Sequence, residues 1–441
     1  MAGMCLVCHP SMTETRIQER IMNLGRLLPL SLWLIATGLQ AEEALTLEQA
    51  ERTALARDVS APAIEARAQA LSEAAVAAGE LPDPKLKLGM MNLPTDSFSR
   101  SQEAMTQLQV GVRQAIPPRG TLEARREGME ARSRAEALRA EATRRKVLRE
   151  VRQAWLEVWY QVEGGRIVDD LRTLFEQLVV VTRDYYAAGR KNQQDVLRAQ
   201  VELSLLDDRR TRFRTEEEAA RAALARWIGE GPANRPLSRE FPALPPLPDR
   251  ASLRAALARH PEVLAANARI EAAQKALAEA RARYRPGLMF DVTYGNRVGN
   301  NPDGSSRADF LSAMVSLDLP LFTKNRQDRT FSARRQEFEA ARLVRDDLIR
   351  RLEKSLDADL ARLGRLDERI RHYDRKVLPE TAQNAEASLA AYRSGVTDFT
   401  GLMRARLTEL DSRLMALRLR VDRAKAQARL LYLASRTGED S

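Results

Sequence analysis

The sequence predicts a mainly helical protein with a small β part, built as two copies of one structural unit. Charged residues make up 30% of the 441 positions, and Ala, Leu, Glu and Arg are abundant, which is typical of long helices and coiled coils. Short runs of alternating apolar and polar residues predict strands. Matching segments recur about 202 to 206 positions apart. A hydrophobic fraction of 44% is enough for a folded core and argues against wholesale disorder.

Internal matches place the two copies at 42–229 and 251–436. Ala54-Leu55-Ala56-Arg57 recurs as Ala256-Leu257-Ala258-Arg259, and Tyr186-x-x-Gly189 recurs as Tyr392-x-x-Gly395. The segment 230–250 contains six prolines and is interpreted as a linker. Residues 437–441 form a short tail.

Each copy has the same predicted order of elements, which begins with one helix and ends with a pair of long ones. The first helix covers about 45–80 or 251–284. A very long helix follows the strands, at about 121–188 or 323–394, and spans roughly 100 Å at 1.5 Å per residue. Gly189 and Gly395 are expected where this helix turns back, because glycine tolerates the left-handed conformation of a helix end. The returning helices cover about 193–229 and 398–436, with an apolar repeat typical of coiled coils.

Four alternating runs predict strands at 85–90, 106–112, 288–294 and 310–319. About 9–11 tilted residues cross a bilayer, but four strands are too few to close a membrane barrel. An open edge in lipid would leave backbone groups unpaired at several kcal/mol each. If the strands span a membrane, several chains must therefore combine them, and three chains give a 12-stranded barrel. The alternative is a small soluble sheet that caps a coiled coil.

Charge and motifs exclude several classes of protein. The net charge is +10, but the basic residues are interleaved with acidic ones, so no basic arm for nucleic acid is predicted. Downstream of position 40 no run approaches the ~18 apolar residues of a membrane-spanning helix, which argues against a polytopic helical transporter. The sequence contains no recognised catalytic signature, so we predict no catalytic, cofactor or metal site and no enzyme activity. His260 and His372 are interpreted as a helix-start residue and a solvated helix-face residue.

The N-terminus carries the layout of a secretory signal. Residues 22–41 consist of a basic start, an apolar stretch and a small-residue exit, and we expect cleavage after Ala41. This layout fits a translation start at Met22, with residues 1–21 an over-extended reading frame. Cys5-Leu6-Val7-Cys8-His9 matches the pattern of c-type haem attachment, and a secreted cytochrome is the function that it would indicate. The motif precedes the export signal, so cleavage would discard it.

The chain resembles the TolC-type outer-membrane efflux channels over about 45–436. The resemblance is carried by the doubled order of elements, by prolines that end the second strands, by His260-Pro261-x-x-x-x-Ala265, and by the turns at 186–200 and 392–405. It implies a homotrimer in the cell outer membrane, with a 12-stranded β-barrel in lipid and the long helices forming an α-barrel in the periplasm. Residues 89–104 look closest to the branch of the family that is paired with heavy-metal pumps.

The implied function is that of the channel component of a tripartite efflux or secretion system. Its partners would be a periplasmic adaptor (membrane fusion) protein and an inner-membrane pump. A soluble periplasmic coiled-coil scaffold is the alternative.

The candidate site residues lie at and just inside the two helix turns. The expected adaptor contacts are the exposed turn residues Gly189, Arg190, Lys191, Asn192, Gly395, Val396, Thr397 and Asp398. The expected periplasmic constriction consists of Asp195, Arg198, Gly401 and Arg404. Family members often place acidic rings here, whereas this sequence has a glycine and two arginines. An Arg–Asp latch between neighbouring helices is therefore predicted instead of an acidic, cation-selective gate.

Overall fold

The computed structural model describes residues 44–190 and 192–434, and the predicted signal, the haem-like motif and the tail lie outside them. The first half of the chain contains, in order, α1 (Leu47–Arg57), α2 (Ser60–Gly79), β1 (Lys85–Met91), β2 (Gln107–Ile116), α3 (Thr121–Ala187) and α4 (Gln193–Ile228). A short helix, α5 (Glu230–Asn234), follows. The second half contains α6 (Arg250–Leu257), α7 (Pro261–Ala282), β3 (Gly287–Asn296), β4 (Phe310–Asp318), α8 (Gln327–His372), a π-helical turn (Tyr373–Val377), α9 (Leu378–Arg393) and α10 (Phe399–Leu433).

The prediction of one continuous first helix in each half is wrong. In the first half Asp58 ends α1, and its carboxylate accepts the N–H groups of Ser60 (3.0 Å) and Ala61 (3.1 Å) at the start of α2. In the second half His260 precedes α7, and its Nδ1 accepts the N–H of Glu262. Pro261 occupies the first helical position, where a missing N–H costs no hydrogen bond. Local capping groups therefore divide both helices.

The longest helix, α3, packs beside shorter helices along its length. At 67 residues it is about 100 Å long. Its first part contacts α2 and α1, where Ser133 donates to the carbonyl of Ala68 at 2.7 Å and Arg152 pairs with Glu51 at 2.7 Å. Its last part contacts α4 through ion pairs such as Arg172–Asp207 at 2.6 Å. Shorter helices therefore cover α3 along its length.

The second long helix is interrupted, which corrects the predicted span of 323–394. It begins at Gln327, and a π-helical turn separates α8 from α9 just before Pro379. Proline lacks an N–H and its ring clashes with the carbonyl four residues earlier in an α-helix. A π turn places that carbonyl differently and lets the helix continue.

The proline-rich segment 230–250 is packed onto the helices. Leu45 N–H donates to the carbonyl of Pro236 at 2.7 Å, and the N–H of Ser238 donates to the carbonyl of Leu45 at 3.2 Å. Leu237 is buried in a core cluster around Trp155, and the indole N–H of Trp159 donates to the carbonyl of Ser238 at 3.1 Å. In the second half, Gln427 of α10 donates to the carbonyl of Pro245 at 2.7 Å. The segment therefore contacts both halves of the chain.

The four strands form one antiparallel sheet in the order β1-β2-β3-β4. One row across the sheet joins Leu88, Val110, Tyr294 and Leu311. Strand β2 runs further than predicted, to Ile116, because Ile116 pairs with Leu288 of β3. Among the described residues, no helix is both long enough and apolar enough to cross a membrane.

Candidate functional site: two helix turns and a two-faced sheet

Both long-helix turns end in the same backbone motif. Gly189 and Gly395 have φ of 70° and 76°, a left-handed conformation in which glycine has no steric penalty. After α3, Gly189 N–H donates to Tyr186 O at 2.9 Å and Arg190 N–H donates to Tyr185 O at 2.9 Å. The equivalent bonds after α9, from the N–H groups of residues 395 and 396, measure 3.2 and 2.9 Å. This is the Schellman pattern, which satisfies the last carbonyls of a helix.

An aromatic cluster holds the two turns side by side. The ring centroids of Tyr392 and Phe399 lie 5.7 Å apart, and those of Tyr185 and Tyr392 lie 6.4 Å apart. Tyr392 is only 1% exposed and Phe399 is fully buried. Burial, together with the charge of Asp195, raises the pKa of Tyr392 to about 12. The predicted turn residues of both halves are thereby brought to one end of the helical part.

The surfaces of the two turns differ. Val396, at the apex of the second turn, is 82% exposed, and Thr397 beside it is partly exposed. In the first turn Gly189, Arg190 and Asn192 are exposed, and Lys191 lies outside the described residues. Asp398 caps α10 by accepting the N–H of Gly401 at 2.9 Å, whereas the side chain of Asn192 makes no capping bond to α4.

The four predicted constriction residues lie in the first two turns of α4 and α10. Arg198 donates from Nη1 to the hydroxyl of Thr400, so α4 and α10 are linked directly. Asp195 lies in the first turn of α4, and Arg404 is exposed on α10. In the described part of the chain neither arginine forms an ion pair with Asp195, so the predicted latch is not made within one chain.

An Arg–Asp pair that sequence reasoning missed joins the same helices further along. Arg209 of α4 pairs with Asp411 of α10 at 2.8 Å. The two residues are 202 positions apart, the same spacing that separates Arg198 from Thr400. Opposite charges on the two returning helices were the sequence feature from which this pair could have been predicted.

The sheet has one apolar and one polar face. The apolar face carries Leu and Val side chains that are exposed, and its members are Leu86, Leu88, Leu108, Val110, Val112, Phe290, Val292, Tyr294, Leu311, Val315 and Leu317. On the opposite face Asp291 accepts hydrogen bonds from Lys87 (2.7 Å), Arg113 (2.8 Å) and Thr293 (2.9 Å). Exposed apolar area of this extent is unusual on a soluble surface.

Within 44–190 and 192–434, no group of three or more His, Cys, Asp or Glu is placed to hold a metal ion. His260 is buried, donates from its ring to the carbonyl of Tyr432 at 3.2 Å, and caps α7, which agrees with its interpretation as a helix-start residue. His372 is exposed at the end of α8.

The second half of the chain matches a known protein family. Residues 252–435 match the outer membrane efflux protein family. The predicted resemblance is therefore confirmed, and so is the expected location in the outer membrane with a helical part in the periplasm. No curated protein sequence matches the chain.

Solved structures extend the likeness over most of the chain. The outer-membrane protein VceC of Vibrio cholerae matches with a TM-score of 0.74 at 17% identity, over 88% of this chain and 95% of that one. The MtrE outer-membrane channel of Neisseria gonorrhoeae matches with a TM-score of 0.70 at 17% identity, over 88% of both chains. The outer-membrane channel OprN matches with a TM-score of 0.74 at 19% identity, over 88% of this chain and 89% of that one. At these identities the matches establish the fold, and two of these three neighbours, OprN and MtrE, are described as outer-membrane channels.

Proposed function

We propose that the chain is the outer-membrane channel of a tripartite export system and works as a homotrimer. Three copies would give a 12-stranded β-barrel, with the paired long helices as an α-barrel in the periplasm. The two halves, 42–229 and 251–436, are two tandem structural repeats in this proposal. The observation that carries it is the sheet, whose Leu, Ile and Val side chains all lie on one face while its charged side chains lie on the other.

The strand edges support assembly from several chains. Strands β1 and β4 are the outer strands of the sheet, each paired on one side only within the chain. Backbone groups left unpaired in lipid cost several kcal/mol each, and closed membrane barrels begin at eight strands. Three sheets of four strands satisfy both requirements. The polar face would then line the channel and the apolar face would contact lipid.

The two helix turns support a partner at the periplasmic end. A periplasmic adaptor would dock on the exposed residues at 189–192 and 395–398, and an inner-membrane pump would complete the conduit. The first two turns of α4 and α10, which contain Asp195, Arg198, Gly401 and Arg404 and are linked by the Arg198–Thr400 bond, would narrow the entrance. Pairing with a heavy-metal pump, indicated by residues 89–104, stays a prediction.

A matched pair of strand variants tests the membrane assignment. Val110 lies on the apolar face and Gln109, its neighbour, lies on the polar face. Val110→Arg is expected to cost about 2–4 kcal/mol of stability near the bilayer midplane, and Gln109→Arg to be tolerated. The readouts are yield in the outer-membrane fraction, native mass spectrometry of the detergent-extracted protein, and conductance in planar bilayers.

The expected result is a wild-type trimer that forms conducting pores, with Val110→Arg depleted from the membrane. A monomer extracted without detergent would favour the soluble scaffold and overturn the channel proposal. Equal membrane yields of the Val110→Arg and Gln109→Arg variants would show that the apolar face does not contact lipid.

A further inference from the structure

All four passages between helix and sheet lie at the same end of the sheet. The chain enters β1 and β3 there and leaves β2 and β4 there, as the register shows, and Gln114 of β2 donates to the carbonyl of Pro82 at 2.8 Å. The four passages, 79–85, 117–126, 279–286 and 318–329, contain ten basic and six acidic residues. The loops at the other end, 92–106 and 297–309, contain three basic and four acidic residues. Positive charge is therefore concentrated at one end.

Six of these basic side chains form what we call the basic collar: Arg119, Arg281, Arg285, Lys324, Arg326 and Arg329. All six are exposed, and in the described part of the chain none pairs with a carboxylate. Arg285 donates to the carbonyl of Arg119 at 3.1 Å, so the two passages that they occupy are in contact. By contrast, Arg125 and Arg283 share the carboxylate of Glu279, at 2.9 and 3.0 Å. The collar charges are thus available to an external anion.

Helix polarity adds to this positive charge. Helices α3 and α8 both begin at the collar, and a helix start carries a partial positive charge on its free N–H groups. Each of these helices has one acidic side chain in its first turn, Glu123 in α3 and Asp328 in α8. Basic side chains nevertheless stand just ahead of both starts, Arg119 before α3 and Lys324 and Arg326 before α8, where they are unfavourable for the helix. Stability of the helices does not explain the placement, whereas binding of an anion does.

The collar continues the apolar face of the sheet. Beyond β4 the chain exposes Leu319, Leu321 and Phe322, the last 79% exposed, before it reaches Lys324. Arg326 folds back to donate to the carbonyl of Phe322 at 3.3 Å. Apolar and aromatic side chains followed at once by cations are typical of a segment that crosses from the hydrocarbon of a membrane into its headgroups.

We propose that the basic collar binds anionic phospholipid headgroups at the periplasmic surface of the outer membrane. This inference rests on the proposed function, since it places the apolar face of the sheet in lipid. The collar would fix the depth of the barrel in the bilayer and hold lipid phosphates beside the helix starts of α3 and α8.

The test is native mass spectrometry of the full protein in detergent micelles with equal amounts of phosphatidylglycerol and phosphatidylcholine. We expect the wild type to retain phosphatidylglycerol in preference to phosphatidylcholine by about 10-fold or more, since each cation near an anionic surface contributes about 1 kcal/mol. Lys324→Gln/Arg326→Gln should lose most of that preference. Lys354→Gln/Arg371→Gln removes one Lys and one Arg from exposed positions of α8 away from the sheet and should keep it.

Three results would overturn the collar proposal: equal retention of the two lipids by the wild type, an unchanged preference in Lys324→Gln/Arg326→Gln, or the same loss in the control. If the collar is covered by a second copy, its variants will lower trimer stability without changing lipid preference, which also overturns it. Arg281→Gln/Arg285→Gln serves as the second variant if the first fails to fold. Conductance in the same preparations separates the two proposals, because pores without lipid preference contradict only the collar.

Discussion

The two helix turns have the same backbone conformation but different side-chain surroundings. Both follow the spacing Tyr-x-x-Gly, and both close with the same pair of hydrogen bonds around a left-handed glycine. The tyrosine of the first turn, Tyr186, is 46% exposed, whereas Tyr392 of the second is buried between Tyr185 and Phe399. The same local motif is therefore used once as a surface and once as an anchor.

The difference extends to the helices on either side. The second turn has an apolar apex at Val396 and a capped return helix, and a π-helical turn interrupts the helix that leads to it. The first turn has a basic apex and follows 67 uninterrupted helical residues. Packing of Tyr392 and capping by Asp398 thus hold the base of the second turn, while its apex stays exposed. A turn of this kind can present an apolar contact without losing its own shape.

The largest expected effect follows from the apex residues. Val396→Glu/Thr397→Glu should abolish export, because a charged apex cannot dock on an apolar partner surface. Folding should be retained, since exposed substitutions usually change stability by less than about 0.5 kcal/mol. The measurement is resistance of cells to the pump's substrate, with trimer formation checked by native mass spectrometry.

Arg190→Glu is the matched change in the first turn, and it should reduce export less. Full resistance in cells that make normal trimers of the Val396→Glu/Thr397→Glu variant would show that the apex is not a docking site. Equal losses from the two turns would contradict the inequality between them.

The glycines should give equal and intermediate effects, because the two backbones are alike. A Cβ at Gly189 or Gly395 meets no atom within 4 Å, so the cost of Gly→Val is backbone strain, roughly 1–3 kcal/mol. Hydrogen exchange of the amides at 185–190 and 391–396 reports the local opening. Gly364, an exposed glycine inside α8, is the control, and Gly364→Ala should stabilise its helix by about 0.5–1 kcal/mol. A cost at only one of the two turns would mean that their backbones differ in solution.

The sequence predicted features that depend on short-range pattern. Glycine spacing located both turns, and alternation located the strands to within about four residues of their observed ends. It did not predict the break at Asp58, although Asp58 and Ser60, whose hydrogen bond caps the next helix, are only two positions apart in sequence. The sequence also predicted a continuous helix through Pro379, because the π turn that accommodates this proline has no recognisable sequence pattern.

What could not be predicted depends on contacts between distant segments. The end of β2 at Ile116 is fixed by pairing with Leu288, and the bond from Arg198 to Thr400 requires α4 and α10 to lie side by side. Burial of Tyr392 but not of Tyr186 likewise follows from packing against Phe399. The shape of the candidate site and the different polarity of its two apices were therefore predictable, whereas the different burial of the two tyrosines was not.

The smallest expected effect concerns the caps of the return helices. The carboxylate of Asp398 accepts the N–H of Gly401 at 2.9 Å, and Asn192 at the equivalent position of α4 caps nothing with its side chain. Asp398→Ala should therefore destabilise the first turn of α10 by about 1 kcal/mol, and Asn192→Ala should change α4 by much less. Hydrogen exchange of the amides at 400–403 and 194–197 measures both. Faster exchange in α10 alone would confirm that the second turn is the more firmly held, and equal acceleration in both helices would remove that distinction.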